Sequence, residues 1–243
     1  MKKIIFALCS LIILSFTSIG LAGTSDLNNV NNFTHTISED EILENERRME
    51  EHKNNMLQFN QSFFKSLSVP IFEQETSYYC GPATVKQTLQ FINANSSSQS
   101  VYAGRLGTKR GVGTNLDNIR ILLNTDQSRR NYISTVVSSE FDFQTKQELA
   151  LRANVPTILH IKAKTTDGWK YDTSGGHFLN GSGLNYHYDV VPMHMMERSS
   201  ITESYVFSKI KVTDPWGEGL GNTWYNTRTV YKNLKNRLGL ILY

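Results

Sequence analysis

Two cysteines, Cys9 and Cys80, are all that the 243 residues contain. So few thiols exclude a disulfide framework and a structural zinc cluster, each of which needs a set of cysteines at defined spacing. An excess of charge is also missing: 25 basic residues against 22 acidic ones leave a formal +3. That surplus gives no case for nucleic acid or an anionic membrane surface as a partner. After the first residues no stretch is apolar enough to cross a bilayer. The loop Gly111-Val112-Gly113 lacks the lysine and the strand–helix setting of a phosphate cradle and reads as a plain turn. His187, His194 and Asp189 share one stretch without a metal-ligand spacing. No metal and no cofactor is implied.

What is present begins with an export signal. Lys2 and Lys3 precede an apolar run from Ile4 to Phe16, followed by Gly20, Ala22 and Gly23. Cleavage after Ala22 suits the small-x-small rule. The run, at about 13 residues, falls short of the roughly 20 that span a membrane, so stable insertion after signal removal is not expected. The expected location is secreted or cell-surface. Removing residues 1–22 takes two lysines from the formal +3 and leaves +1. It also removes Cys9. Cys80 becomes the single thiol of the mature chain, in an oxidising compartment, which flags it as reactive.

Residues 23–67 read as a flexible leader followed by one amphipathic helix over 38–66. Ser38 with Glu41 forms a capping box, and Glu39, Asp40 and Glu41 suit the helix dipole. Ile42, Met49, Met56 and Phe63 recur every seven residues, with Leu43, Leu57 and Phe64 beside them, as an apolar stripe. The helix can pack on the domain surface, cover the active-site cleft as a prosegment, or pair with a partner.

Residues 68–243 form the main domain. Helices are expected over 80–92, from a Thr114-Asn115 cap through Leu123, and over 144–153 with Gln147 and Glu148 outward. Residues 93–100, 164–175 and 185–203 read as connections. Strands are expected over 156–163, 177–183, 204–214 and 239–243. Helices first and strands later define an α+β class. His160 reads as structural. Tyr78, Tyr79, Trp169, Tyr186 and Tyr188 suit either a cleft or the core.

The segment Gln74 to Ala83 carries the chemistry. Gly81-Pro82 fits a helix opening, which would set Cys80 at the positive end of a helix dipole, where a thiolate is favoured. Attack on a carbonyl builds a negative oxygen. The Cys80 N–H and the Gln74 side-chain amide are candidate donors to it. His177, after Gly175-Gly176 at the start of a strand, is the candidate base, and the glycines would leave room for substrate backbone. Asp214, in Asp214-Pro215-Trp216-Gly217, would hold the second imidazole nitrogen, with Trp216 as a roof.

Gln74, Cys80-Gly81-Pro82-Ala83, Gly176-His177-Phe178 with Gly183, Asp214-Pro215 and the Val155-Pro156 strand opening resemble the bacteriocin-processing peptidase family in its secreted, C39-like branch. The resemblance covers about residues 69–220. It implies a papain-like fold, with a Cys-bearing helical lobe packed on an antiparallel sheet that carries His and Asp. It also implies a thiolate–imidazolium pair and cleavage of peptide or amide bonds in a peptide or protein substrate. Two departures stand out. Asn180-Gly181 interrupts the β-branched run usual after the histidine, which suggests an edge, a bulge or a polar role for Asn180. The chain also has no transporter segments, so a double-glycine specificity is not carried over. A cysteine amidase or transferase acting on cell-wall peptides, and a non-catalytic binding protein on the same scaffold, remain open.

Overall fold

The computed structural model describes residues 37–56, 62–188 and 205–243. The signal segment, the leader to residue 36, Asp189 and His194 lie outside the described residues, as does the side chain of Tyr188.

The architecture is α+β around one antiparallel sheet. Helix α1 (Glu39–Met56) is followed by β1 (Ser62–Ser66), then α2 (Cys80–Asn93), α3 (Gln99–Leu106) and α4 (Leu116–Asp126). Next come β2 (Ser134–Val136), α5 (Glu140–Arg152), β3 (Thr157–Ile161), β4 (His177–Tyr188), β5 (Tyr205–Thr213), β6 (Asn222–Asn226), α6 (Thr227–Lys235) and β7 (Leu240–Leu242). The sheet order is β2-β7-β3-β4-β5-β6, with β1 beside β4.

Strand β4 organises the sheet because it is longer than its neighbours. Its first half pairs with β3, from Ile161↔His177 to Thr157↔Gly181. Its second half pairs with β1, from Ser66↔Gly183 to Ser62↔His187. A bulge at Ser182 separates the halves, where the β5 partners pass from Val212 to Lys211. The Leu67 N–H donates to the Ser182 carbonyl at 2.8 Å and ties the chain after β1 to this bulge.

The expected helix over 38–66 is corrected by β1. Phe63 and Phe64 do not continue a helical stripe. They alternate across a strand, Phe63 half-buried on Tyr186 and Phe64 exposed against Trp224. The capping box is present: the Ser38 N–H and hydroxyl donate to Glu41, and the Glu41 N–H donates back to Ser38 Oγ. However, α1 docks by its polar side. Ile42 and Leu43 are exposed, while Glu41 and Arg48 are buried. Glu41 accepts from the Ser134 N–H, and Arg48 donates to the carbonyls of Tyr243 and Asn131. The helix therefore lies along the β2–β7 edge.

Asn180 explains how the helical layer meets the sheet. It is fully buried and sits on a central strand, not an edge. Its Oδ1 accepts from Thr88 (2.7 Å), and its Nδ2 donates to Gln87 Oε1 (2.9 Å) and the Thr84 carbonyl (3.3 Å). These bonds pin α2 to one face of β4. On the opposite face Gln147 of α5 donates to the Gly181 carbonyl and accepts from Thr157. Gln147 and Glu148 are thus buried rather than outward. Glu148 accepts from the Tyr186 hydroxyl and pairs with Arg152. Their burial follows from the position of α5, packed among the sheet, α1 and α6. Helix α3 begins inside the stretch expected to be a loop, capped by Ser98 at the Val101 N–H.

Replacing Asn180 by Ala leaves Gln87 Oε1 without a donor in the core and the Thr88 hydroxyl with only the Thr84 carbonyl. The expected cost is about 2–4 kcal/mol in urea-induced unfolding, from unsatisfied polar groups plus a small cavity. A cost below about 0.5 kcal/mol would remove this network from the account of how α2 is held.

Candidate functional site

Helix α2 opens at Cys80 itself, with the Ala83 N–H bonded to the Tyr79 carbonyl at 2.9 Å. Pro82 lies in the first turn rather than at its first position, which costs nothing because first-turn N–H groups have no intrahelical partner. Tyr79 makes no side-chain cap, and no acid occupies that turn. The helix dipole therefore reaches Cys80 uncompensated. Gly81 is required by crowding: a Cβ there would collide with Thr114. The glycine-rich turn at 109–113 thus leads directly to a wall beside the cysteine.

His177 begins β4 and Asp214 follows β5, so the antiparallel pairing of these strands brings them together. His177 Nε2 lies 2.8 Å from Asp214 Oδ1. With Nε2 committed there, Nδ1 is the nitrogen left for the Cys80 thiol, which hydrogen-bonds the ring. All three groups are buried, Cys80 at 8%, His177 at 2% and Asp214 at 1% exposure.

Burial alone would raise the thiol. The hydrogen bond and charge of His177, with the N–H groups of Phe178 and Gly81, outweigh it and hold Cys80 below its ordinary value. Burial alone would likewise lower His177. The Asp214 carboxylate and the Cys80 sulfur reverse that and hold the imidazole well above its usual range. The two shifts are opposed, and each group favours the charged form of the other.

Tyr171 completes the site and was not foreseen from sequence. It lies in the polar connection 164–175, whose composition says only "surface". Its hydroxyl donates to Asp214 Oδ2 at 2.6 Å. The Trp216 N–H donates to Oδ1 at 2.9 Å, so the carboxylate accepts from three groups. Burial and the Asp214 charge push the Tyr171 phenol far up, which keeps it a donor. Its ring stacks on Trp216 at 4.3 Å, and both rings meet the His177 edge, at 6.0 and 5.5 Å. The expected roof over the histidine is therefore a pair of rings. Trp169 and Tyr186 belong to the core, while Tyr78 and Tyr79 flank Cys80 half-buried.

Gln74 lies on the segment that crosses in front of this group. Its N–H donates to the Pro215 carbonyl at 2.8 Å, and its Oε1 is buried without a partner. Gln99, in α3, clamps both flanks: its Nε2 donates to the Glu73 carbonyl and its Oε1 accepts from the Glu75 N–H. Gln87 holds the Phe72 carbonyl. Sequence reading passed over these two glutamines because their partners are backbone groups of a distant loop.

The glycines before His177 act differently from the expectation. A Cβ on Gly176 would collide with the His160 ring, not with anything bound beside His177. His160 is buried and stacks on Phe178 at 4.1 Å. His187, half-buried, lies against Phe207. No helix among the described residues is long and apolar enough to cross a membrane.

Residues 66–238 match the model of the Peptidase_C39 like family, and the chain belongs to that family. No curated protein matches by sequence. Among solved structures, a C39-like peptidase from Bacillus anthracis is similar at 11% identity and TM-score 0.47, over 74% of this chain and 97% of that one. The peptidase domain of ComA from Streptococcus, a bifunctional ABC transporter of a quorum-sensing pathway, is similar at 12% identity and TM-score 0.43. It covers 72% of this chain and 96% of that one. The recombinant precursor of stem bromelain follows at 9% and 0.46, over 78% of this chain and 72% of that one.

The carboxylate and the phenol have opposite signatures in the pH dependence of Cys80 alkylation. Asp214→Ala removes the charge that holds the imidazolium. His177 then falls, Cys80 rises, and the window in which sulfur is ionised and imidazole protonated narrows from both sides. Tyr171→Phe keeps the carboxylate but removes the positive end of a hydroxyl dipole from it. The His177 limb then moves up instead of down, by less. Identical profiles for Tyr171→Phe and the native protein would detach Tyr171 from the site's electrostatics.

Proposed function

We propose that the chain is an exported cysteine peptidase, cleaved after Ala22, whose mature domain hydrolyses peptide bonds with Cys80, His177, Asp214 and Gln74. The observation that carries this reading is the buried Cys80–His177–Asp214 line at an uncapped helix start. Three titratable groups are buried together there, with opposed shifts on sulfur and imidazole. Family membership supports peptidase chemistry.

The geometry supports the following steps. The Cys80 thiolate adds to the substrate carbonyl carbon, and the electron pair of the C=O bond moves to oxygen. The Cys80 N–H and the Gln74 side-chain amide hold that oxygen. His177 gives its proton to the departing amine as the C–N bond breaks, leaving a thioester on Cys80. Water then adds to the thioester carbonyl while His177 takes a proton from it. Collapse expels the thiolate and the new carboxylic acid, and the imidazole is again protonated beside sulfur. Asp214 keeps Nε2 engaged throughout, so Nδ1 stays aimed at the reaction. Closing the resting site to water strengthens each of these charge interactions.

Incubating the mature chain with a peptide library and identifying products by mass spectrometry tests the activity. Cys80→Ala should abolish cleavage, and His177→Ala should abolish both cleavage and rapid alkylation of Cys80. Gln74→Ala should leave alkylation intact while lowering kcat roughly 10²–10³-fold, because its donor acts only on the oxyanion. Alkylation of Cys80 no faster than a free thiol, together with no products from the library, would overturn the reading.

A further inference from the structure

Arg237 lies between α6 and β7, just beyond the helix C-terminus. It is half-buried, its Nε has no hydrogen-bond partner, and burial alone lowers its pKa. Among the described residues no carboxylate pairs with it. Two acids of the connection between β3 and β4 are engaged elsewhere. Asp167 Oδ2 accepts from Asn236, and Asp172 accepts from the N–H and hydroxyl of Thr165. A cation withdrawn from water without an anion is costly, and it is a built-in receptor for one.

Its position gives that receptor a use. A Cβ built on Gly176 would lie 3.0 Å from Arg237 Nε, with the His160 ring pressed against the same point. Gly176 directly precedes His177. The guanidinium nitrogen is therefore no more than about 8 Å from the His177 Cα, by the fixed spacing of consecutive Cα atoms. The stacked His160 and Phe178 rings form one side of this place. Gly175, exposed with nothing within 4 Å of its missing Cβ, leaves the approach open.

We propose that Arg237 selects a carboxylate of the substrate, an Asp or Glu side chain or a free C-terminus, seated against Gly175–Gly176 beside the reacting bond. The proposal rests on the peptidase reading and adds a substrate class to it. Arg suits the role because its planar fork meets both carboxylate oxygens and stays charged when partly buried.

The test uses Cys80→Ala, which holds peptides uncut, and fluorescence anisotropy with two sets of probes. One set compares Glu with Gln at each position of end-blocked peptides. The other compares free with amidated C-termini on neutral peptides. The acid member of one set should bind about tenfold tighter, the worth of a partly desolvated ion pair. Added Arg237→Lys should keep most of that preference, Arg237→Ala should abolish it, and Arg237→Glu should invert it toward Lys-bearing peptides. Melting temperatures near that of Cys80→Ala would show that the variants are folded. The set that responds identifies the source of the carboxylate. Equal binding of acid and neutral partners in both sets, or a preference that survives Arg237→Glu, would overturn the proposal. Turnover by the Cys80 form separates the two readings. Selective binding without cleavage sinks the peptidase reading alone, while cleavage indifferent to charge sinks the role of Arg237 alone.

Discussion

Everything at the site depends on how a thiol and an imidazole are held against each other inside a buried environment. A thiolate and an imidazolium are each disfavoured by burial, and burial is the largest influence on both. They can persist in such a place only as a pair, and only where the surroundings treat the pair unequally at its two ends. On the sulfur side stand the N–H groups of Phe178 and Gly81 and the start of α2. On the imidazole side stands the Asp214 carboxylate. Either end alone would leave one buried charge uncompensated, a loss of several kcal/mol in typical cases.

The fold can be understood as the means of presenting those two ends to each other. The sulfur end is a helix terminus and the imidazole end is a strand terminus. Their separation is therefore set by how firmly α2 lies on β4. Apolar packing supplies most of the attraction but little directional control. Direction comes from Asn180, whose amide engages Thr84, Gln87 and Thr88 on successive turns of α2. A β-branched residue at that position would pack without fixing the rotation of the helix. The same polar residue that breaks the hydrophobic run of β4 is thus what keeps Cys80 facing His177. The Gly181–Gly183 bulge then turns the outer half of β4 toward β1, so the added strand lengthens the sheet without disturbing the end that carries His177.

How much of this is legible in the sequence follows from how local each feature is. Cys80, His177 and Asp214 each sit at the end of an element that announces itself: Gly-Pro at a helix opening, Gly-Gly before a strand, Asp-Pro-Trp after one. Their meeting needs only the antiparallel pairing of β4 with β5 and the packing of α2. Tyr171, Gln99 and Gln87 act across 43, 24–26 and 15 residues, from positions whose neighbours give no periodic or turn signal. The helix stripe through Phe63 and Phe64 misled because a seven-residue apolar spacing does not end where a chain changes from helix to strand. Gln147 and Glu148 misled for a different reason. A helix covered on several sides buries polar residues whenever partners are waiting, and here they are the Gly181 carbonyl, Thr157, Tyr186 and Arg152.

The three donors on Asp214 resolve a tension in this arrangement. A bare carboxylate in a dry site would bind the imidazolium so strongly that His177 could not surrender its proton to a leaving amine. Hydrogen bonds from Tyr171 and from the Trp216 backbone share the negative charge, and they fix the plane of the carboxylate at the same time. In the proposed mechanism such an acceptor would hold the imidazolium and still let its proton move. The ring stack of Tyr171 on Trp216 keeps both donors in place and excludes water from the pair. A loop that reads as plain surface in the sequence thereby supplies a donor to the carboxylate that holds the imidazole.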